Sequence, residues 1–451
     1  MIGCLMNFSA HIVRHRVHAK DIPGSPEGVQ LLMEFGSDRL RVRMMRSGLA
    51  CKIVSIAAMF LAVALLPGSP GLGRQLSCAG RAATDRDSGP GVGPESIKLG
   101  AALPMTGPLS KIGVDVKAAL AACFDEINAQ GGIQGRKLAL VIEDSGGEAA
   151  GTELATRRLV EERGVFALVG SFEPKGSAST NEYLKRSAVP LIGPVTLSPA
   201  ATQANRYVFY LLPGFRDQAR VLIDFIGAKG TSSRIAVVYT IGEFDQDVLA
   251  AVKSQAKLYS MSVVAEQRYN AGALSSPALV QAVATEKPDC ILFFGIAADL
   301  LVFGTQMERA GLKAVLMSSA VLVGRGAFRL SPDLAARTYL SFPSSLPGRD
   351  DFTPFLGLMR KRGVDLRSAA FQSVAYAAAT VMAEGVRRAG RQLSRDSLVN
   401  ALEQLRAFKT GVIPPVTFDQ NRRVGAAGSY VVGIDLANQQ YLPLSDRLVP
   451  R

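Results

Sequence analysis

From about Ser96 onward the chain alternates short apolar runs with longer stretches whose apolar positions recur every three or four residues. "SIKLGAAL" (96–103), "KLALVIED" (137–144) and "VFALVG" (165–170) have the length and composition of buried strands. Between them, "VKAALAACFDEINAQ" (116–130) places Ala119, Ala122, Cys123 and Ile127 on one helical face, and "GTELATRRLVEER" (151–163) reads as a second helix. "GGIQGR" (131–136) is a Gly-rich turn closing the first helix, as Gly at a helix C-terminus does. "SASTNEYLKRSA" (177–188) and "VPLIG" (189–193) add a helix and a strand. This βαβαβ rhythm predicts a parallel sheet with helices on both faces.

After "NRYVFYLLPG" (205–214) the rhythm restarts. Strands are predicted at "RIAVVYT" (234–240), "SVVAEQRY" (262–269) and "PDCILFFG" (288–295), with helices over "DQDVLAAVKSQAKLY", "SPALVQAVATE" and "ADLLVFGTQMERAGL". Two such halves predict two lobes facing each other across a cleft. Ligands in open parallel sheets bind beyond the carboxyl ends of the strands. Those ends are "LPMTGPLSKIG" (103–113), "GSFEPK" (170–175), "GPVTLS" (193–198), "YTIGEFDQD" (239–247) and "GIAADL" (295–300). They are rich in Gly, Ser, Thr and Pro with a few carboxylates, a fitting lining for a small polar molecule.

Ahead of this body, residues 1–43 are polar, basic and without steady periodicity. Met44 or Met45, Arg46 and Lys52 then precede an unbroken apolar segment of fourteen residues, Ile53–Leu66. That is the length of a signal peptide and short for a transmembrane helix. Residues 1–79 are therefore expected to be a leader containing a signal peptide, with the true start at Met44 or Met45. Export to the periplasm is expected. Ser77-Cys78-Ala79 offers a small-residue cleavage site, and lipid anchoring at Cys78 is disfavoured because Gln75 stands where a lipoprotein box has Leu.

Composition narrows the chemistry. The 451 residues are 48% hydrophobic, enough for two or three domains with real cores. The net charge of +13 includes nine Lys/Arg against four Asp/Glu in residues 1–79, and the rest is dispersed among acidic residues. A nucleic-acid partner, which would concentrate that charge in a patch, is not expected. The three histidines are His11, His15 and His18, so the body has no His for triad catalysis or metal ligation. No cofactor is expected. Cys123, on a helical face, and Cys290, inside an apolar strand, read as two buried thiols and not as a disulfide.

The segment "IKLGAALPMTGPLSKIGVDVKAALAACFDEINAQGGIQGRKLALVIEDSGG" resembles the start of the Leu/Ile/Val-binding family of periplasmic solute-binding proteins. The resemblance runs on through "LVGSFEPKGSASTNEYLKRSAVPLIGP" and "PDCILFFGIAADLLVFGTQMERAGL" to "PPVTFDQNRRVG", covering about residues 95–440. "PMTGP" and "EINAQGGIQGR" are its most specific pieces. It implies an α/β chain of two doubly wound parallel-sheet lobes joined by a three-crossover hinge, the type I periplasmic binding protein fold. Lobe 1 is expected over 95–213 plus 343–411, and lobe 2 over 214–342 plus 412–445. The crossovers would fall near Leu212–Arg216, Ser341–Pro347 and Val412–Thr417, absorbing hinge rotation.

The resemblance also implies a site. In amino-acid-binding members the turn after the third strand holds the ligand carboxylate; here that turn is Ser171–Gly176, with Ser171, Phe172 and Lys175 as candidates. Pro174 or Lys175 stands where the family's carboxylate-binding Ser would be, and Pro has no amide to donate. Lys175 either replaces the hydroxyl with a charge or points to water, and Glu173 reads as part of a solvated turn. The fourth-strand turn offers Thr196 and Ser198. Phe244 falls at the position of an aromatic that covers the side chain, and Ile112 replaces another aromatic. Asp299 falls on the acid that holds an ammonium group, or else serves its own helix start. Thr106 and Gly107 are expected to shape the first turn.

The expected function is thus an extracytoplasmic solute-binding protein, not an enzyme, that captures a small polar solute (amino acid, amide or related metabolite) and delivers it to an ABC-importer permease. It is expected to act as a monomer. The alternative is a ligand-sensing receptor or regulator of the same fold without transport.

Overall fold

The parallel pairing expected from the strand–helix alternation is realised in two sheets. The computed structural model describes residues 15–17, 31–36, 39–44, 89–174, 177–196, 205–241, 246–272, 277–346 and 352–451. The chain divides into two units, residues 1–80 and 81–451. In the first, β1 (His15–Val17), β2 (Leu31–Gly36) and β3 (Arg39–Met44) form an antiparallel sheet in that order. The β2–β3 register sets Leu31 opposite Met44, Met33 opposite Val42 and Phe35 opposite Leu40, a pairing the polar reading of residues 1–43 did not foresee. The apolar segment Ile53–Leu66 and Cys78 lie outside the described residues.

The second unit begins with β4 (Ser96–Leu103), α1 (Ser110–Ala129), β5 (Lys137–Asp144), α2 (Ala149–Arg157), β6 (Ala167–Val169), α3 (Ala178–Arg186), β7 (Leu191–Ile192) and β8 (Val208–Phe209). Its strands pair in parallel in the order β5-β4-β6-β7-β8. Strand alternation decides which face each residue serves. Ile97, Leu99, Ala101 and Leu103 of β4 face one core with α1, while Ala102 joins another with Leu159, Leu184 and Tyr210. The sheet is thereby covered on both sides, as parallel sheets require.

Helix α1 ends where Gly132 takes φ +75 and its amide bonds back to Ile127 O at 3.0 Å. A Cβ on Gly132 would lie 2.2 Å from Arg136 O. "GGIQGR" is thus a structural turn, with Gly132 held in the left-handed region that glycine enters freely.

The second sheet follows with α4 (Phe215–Lys229), β9 (Arg234–Thr240), α5 (Gln246–Lys257), β10 (Ser262–Tyr269), α6 (Ala278–Thr285), β11 (Cys290–Phe294), α7 (Ala297–Arg309), β12 (Val315–Ser319), two short helices α8 (Ala320–Val323) and α9 (Pro332–Ala336), and β13 (Thr338–Phe342). Then come α10 (Thr353–Lys361), α11 (Ala369–Ala389), α12 (Arg395–Leu402), β14 (Tyr430–Asp435) and β15 (Gln440–Pro443). The order is β10-β9-β11-β12-β13-β14-β15, parallel up to β13 and antiparallel across β14 and β15. Cys123 and Cys290 are both buried free thiols, as expected.

The chain passes from the first sheet to the second between β8 and α4 and returns between β13 and α10, where α11 and α12 pack on the first sheet's core. Its third passage falls between Ala426 and Tyr430, later than the expected Val412–Thr417. Val412, Ile413, Val416 and Phe418 are buried in the first core, and the Phe418 ring meets Phe209 edge-on at 5.1 Å. An apolar run with a waiting core stays with that core. Arg447 ties two of the passages together, donating to Pro343 O at 2.9 Å, Ala426 O at 2.8 Å and Ala427 O at 2.9 Å.

Candidate functional site

At the carboxyl end of β4, the "PMTGP" loop is held by one residue of the neighbouring strand. Asp144 accepts the amides of Met105 (2.8 Å), Thr106 (3.2 Å) and Gly146 (2.9 Å) and the Thr106 hydroxyl (2.6 Å). The Thr106 hydroxyl first, and then the backbone amides, hold this carboxyl down to about 2. The loop's most specific residues therefore shape the turn, as expected for Thr106 and Gly107.

The turn after β6 differs from its sequence reading. Pairing continues past the strand: Phe172 bridges Val195, the Phe172 amide donates to Ala102 O at 2.8 Å, and the Glu173 amide donates to Val195 O at 3.0 Å. Ser171 is 2% exposed and its hydroxyl accepts the Ala102 amide at 3.1 Å. Glu173 lies on the same side, two residues on, and is 4% exposed. The solvated turn expected at Glu173 is thus corrected: strand alternation carries it inward. Burial pushes its carboxyl up to about 7, although bonds with Tyr210 and Asn181 pull the other way. Phe172, on the opposite side, is half-buried.

These observations sort the predicted residues. Ser171, Phe172 and Thr196 come together at the ends of β6 and β7, where Thr196 follows the bridged Val195. Lys175, Ser198 and Phe244 lie outside the described residues. Ile112, at the start of α1, packs half-buried against the first core.

On the second sheet, Asp299 occupies the first turn of α7, just beyond β11, and is 3% exposed. Its two oxygens accept the Gly272 amide, in the loop after β10, at 3.2 and 3.1 Å. The carboxylate thus braces a neighbouring loop as well as standing at the helix N-terminus. Tyr269 closes β10 with a buried hydroxyl that lies against the Asp299 carboxylate. Burial first, then the adjacent Asp299 charge, raises its pKa. A Cβ on residue 295 would lie 1.9 Å from that hydroxyl, so Gly295 is what lets the ring lie at the end of β11. Sequence reasoning missed Tyr269 because its ring stacks on Phe293 like any core aromatic. Beyond the ends of β9, β11 and β12, three adjacent strands, Ile241, Ile296 and Val321 stay 59%, 46% and 40% exposed.

Among the described residues no cluster of three or more His, Cys, Asp or Glu could hold a metal ion. A groove of about 380 Å³ lined by Phe225, Lys229, Tyr339, Ile434 and Leu442 lies at the amino end of β13, away from these loops.

Residues 96–440 match the family model described as periplasmic binding protein. The chain belongs to that family. Membership implies an extracytoplasmic location and a solute-binding role in a group that does not consist of enzymes. Among curated relatives, the Leu/Ile/Val-binding protein BraC3 of Rhizobium johnstonii is 23% identical over 317 residues, covering 70% of this chain and 86% of its own. The Leu/Ile/Val-binding protein homolog 7 of Brucella abortus is 24% identical over 351 residues, covering 72% and 86%. Among solved structures, a branched chain amino acid ABC transporter protein from Thermus thermophilus with bound valine superposes with a TM-score of 0.68 at 18% identity, covering 79% of this chain and 97% of that one. A fatty acid ABC transporter substrate-binding protein from Thermomonospora curvata gives 0.62 at 18% identity, covering 80% and 94%. Similar folds thus occur in proteins named for solutes as different as a branched chain amino acid and a fatty acid, so the fold alone does not name the solute of this periplasmic binding protein.

Proposed function

We propose that this protein captures a small solute bearing an ammonium or amide group, an amino acid, amide or related metabolite, between the carboxyl ends of its two sheets. After export directed by Ile53–Leu66 it delivers that solute, as a monomer, to the membrane permease of an ABC importer. The observation that carries the reading is Asp299: a carboxylate 3% exposed at the end of a parallel strand, in the crevice position where open α/β sheets bind ligands. A buried carboxylate calls for a counter-charge or strong donors, and a solute ammonium adds to what the Gly272 amide provides. The exposed Ile241, Ile296 and Val321 offer the same solute an apolar rim.

The test is a thermal-shift screen of the purified protein against amino acids, their amides and small amines. A solute at a hundredfold over its Kd adds about 2.7 kcal/mol to stability, so at least one member should raise the unfolding midpoint clearly. Asp299→Ala should abolish that shift. A shift that survives the substitution would leave Asp299 as a brace for the Gly272 loop.

A further inference from the structure

Glu173 presents an unusual arrangement for a turn beside a ligand site. Its Oε1 is buried without a hydrogen-bond partner, and so is Oδ1 of Asn181 in the first turn of α3. The Asn181 and Tyr210 side chains lie beside the Glu173 carboxyl, and the Asn181 amide nitrogen donates to the Tyr210 hydroxyl at 3.3 Å. Buried acceptors left without donors are costly. A proton on Glu173 Oε1 removes one of these two orphaned acceptors and offers the other a donor.

Among the described residues the surroundings supply no charge in its place. Asn181 faces Glu173 from α3 and Tyr210 from the end of β8, both uncharged, with Asn205 behind them donating to Asn181 O at 2.8 Å. Of the titratable groups on that part of α3, Glu182 is exposed with Lys185 at 4.0 Å, and Tyr183 turns its hydroxyl to Glu161 at 3.0 Å and its ring to Arg157. Arg423, whose carbonyl accepts the Tyr210 amide, is paired with Glu403 at 2.5 Å and lies over the Phe209 ring. The sequence neighbour Lys175 lies outside the described residues.

We propose that Glu173 is a proton-operated control of the ligand site: while it carries a proton the turn at 171–174 stays docked on α3 and β8, and its ionisation loosens that turn and lowers solute affinity. The inference rests on the reading above that the ends of β6 and β7 face the solute. When Glu173 swings into water it returns to the ordinary carboxylate range, so the docked form loses about tenfold in population, relative to the loosened one, per pH unit between that range and about 7. Above about 7 both forms are ionised and the bias levels off. Apparent affinity follows the docked fraction.

Two measurements on the full chain separate this inference from the solute reading. Hydrogen exchange of the Phe172 and Glu173 amides, corrected for intrinsic rate, should lose about tenfold or more in protection between about pH 5 and about pH 7.5. In Glu173→Gln, which keeps the shape and cannot ionise, protection should stay flat. Calorimetric titration with L-leucine and L-valine as probes should show wild-type affinity falling by about threefold or more over the same range, and the variant's staying level. Protection that does not change with pH in the wild type, or that changes alike in the variant, overturns the proposal. Failure of both probes at every pH, with protection still responding, instead counts against these amino acids as solutes and leaves proton control of the turn supported.

Discussion

Replacing Glu173 by Gln should stabilise the protein, and by an amount that depends on pH. In the folded state burial raises this carboxyl from 4.5 to about 7, whereas in the unfolded chain it titrates near 4.3. Between those values the folded protein holds a proton that the unfolded chain has released. Stability contributed by a raised carboxyl is therefore present at low pH and lost as pH rises through this window. The interval is about two and a half pH units, and each unit is worth about 1.4 kcal/mol, so the upper limit of the effect is about 3–4 kcal/mol. Glu173 is 4% exposed, so solvent screening takes little from that figure. The glutamine variant has no proton to lose, and its amide N–H can serve the orphaned Asn181 Oδ1. Urea unfolding of both proteins from about pH 4.5 to about pH 8 should give similar stabilities at the acid end. The variant should be more stable by about 2–3 kcal/mol above pH 7. Every other titrating group is common to the two proteins and cancels in the difference. Parallel stability–pH curves would refute the assignment of a buried, proton-bearing Glu173.

Glu403→Ala should lose about 3–5 kcal/mol by urea midpoint, because it leaves the Arg423 guanidinium, 9% exposed and paired at 2.5 Å, buried without its partner; a loss under about 1 kcal/mol would mean that water reaches the pair. Asp144→Asn should lose about 1 kcal/mol at neutral pH, a figure kept small because the residue is exposed and its bonds are screened. That difference should vanish as pH falls from about 4 towards about 2, since a carboxyl held down to about 2 gives its stability above the unfolded value and loses it below the folded one. A difference that persists at pH 2 would contradict the hydrogen-bonded carboxylate.

What was legible in the sequence was periodic. The strand–helix alternation, the Gly-rich turn after α1 and the two buried thiols follow from local pattern, and each stands in the structure. The misses share a different cause. Val412–Phe418 carries the Pro marks of a connection, but its apolar side chains answer to a core formed by residues hundreds of positions away. The antiparallel β14–β15 hairpin depends on Asp435 accepting from Asn438 and Gln440, a turn chemistry that the parallel rhythm before it obscured. Glu173 was misread because charge was weighed ahead of backbone geometry: Gly170 takes φ +61 and breaks the alternation, so Phe172 packs on the core that Val169 serves while Ser171 and Glu173 turn to the other side, where Tyr210 and Asn181 lie. Asp299 was legible as a candidate, whereas the buried Tyr269 hydroxyl beside it needed three-dimensional placement.

The two walls of the proposed site ask different things of a solute. On the second sheet Asp299 favours a positive or strongly donating group. On the first, the backbone donors of Phe172 and Glu173 are already committed, to Ala102 O and Val195 O, and Pro174 has no N–H to give; the Ser171 hydroxyl, which accepts from the Ala102 amide, is 2% exposed. Behind them stands a second acid, Glu173, whose ionised form would repel a solute carboxylate lying against the turn. A zwitterion meeting residues 171–174 would find few backbone donors for its carboxylate, a mismatch that a desolvated cleft magnifies. The same geometry imposes no such cost on an amide or a simple amine. Discrimination between an amino acid and its amide is therefore the comparison in which this turn, more than Asp299, decides the outcome.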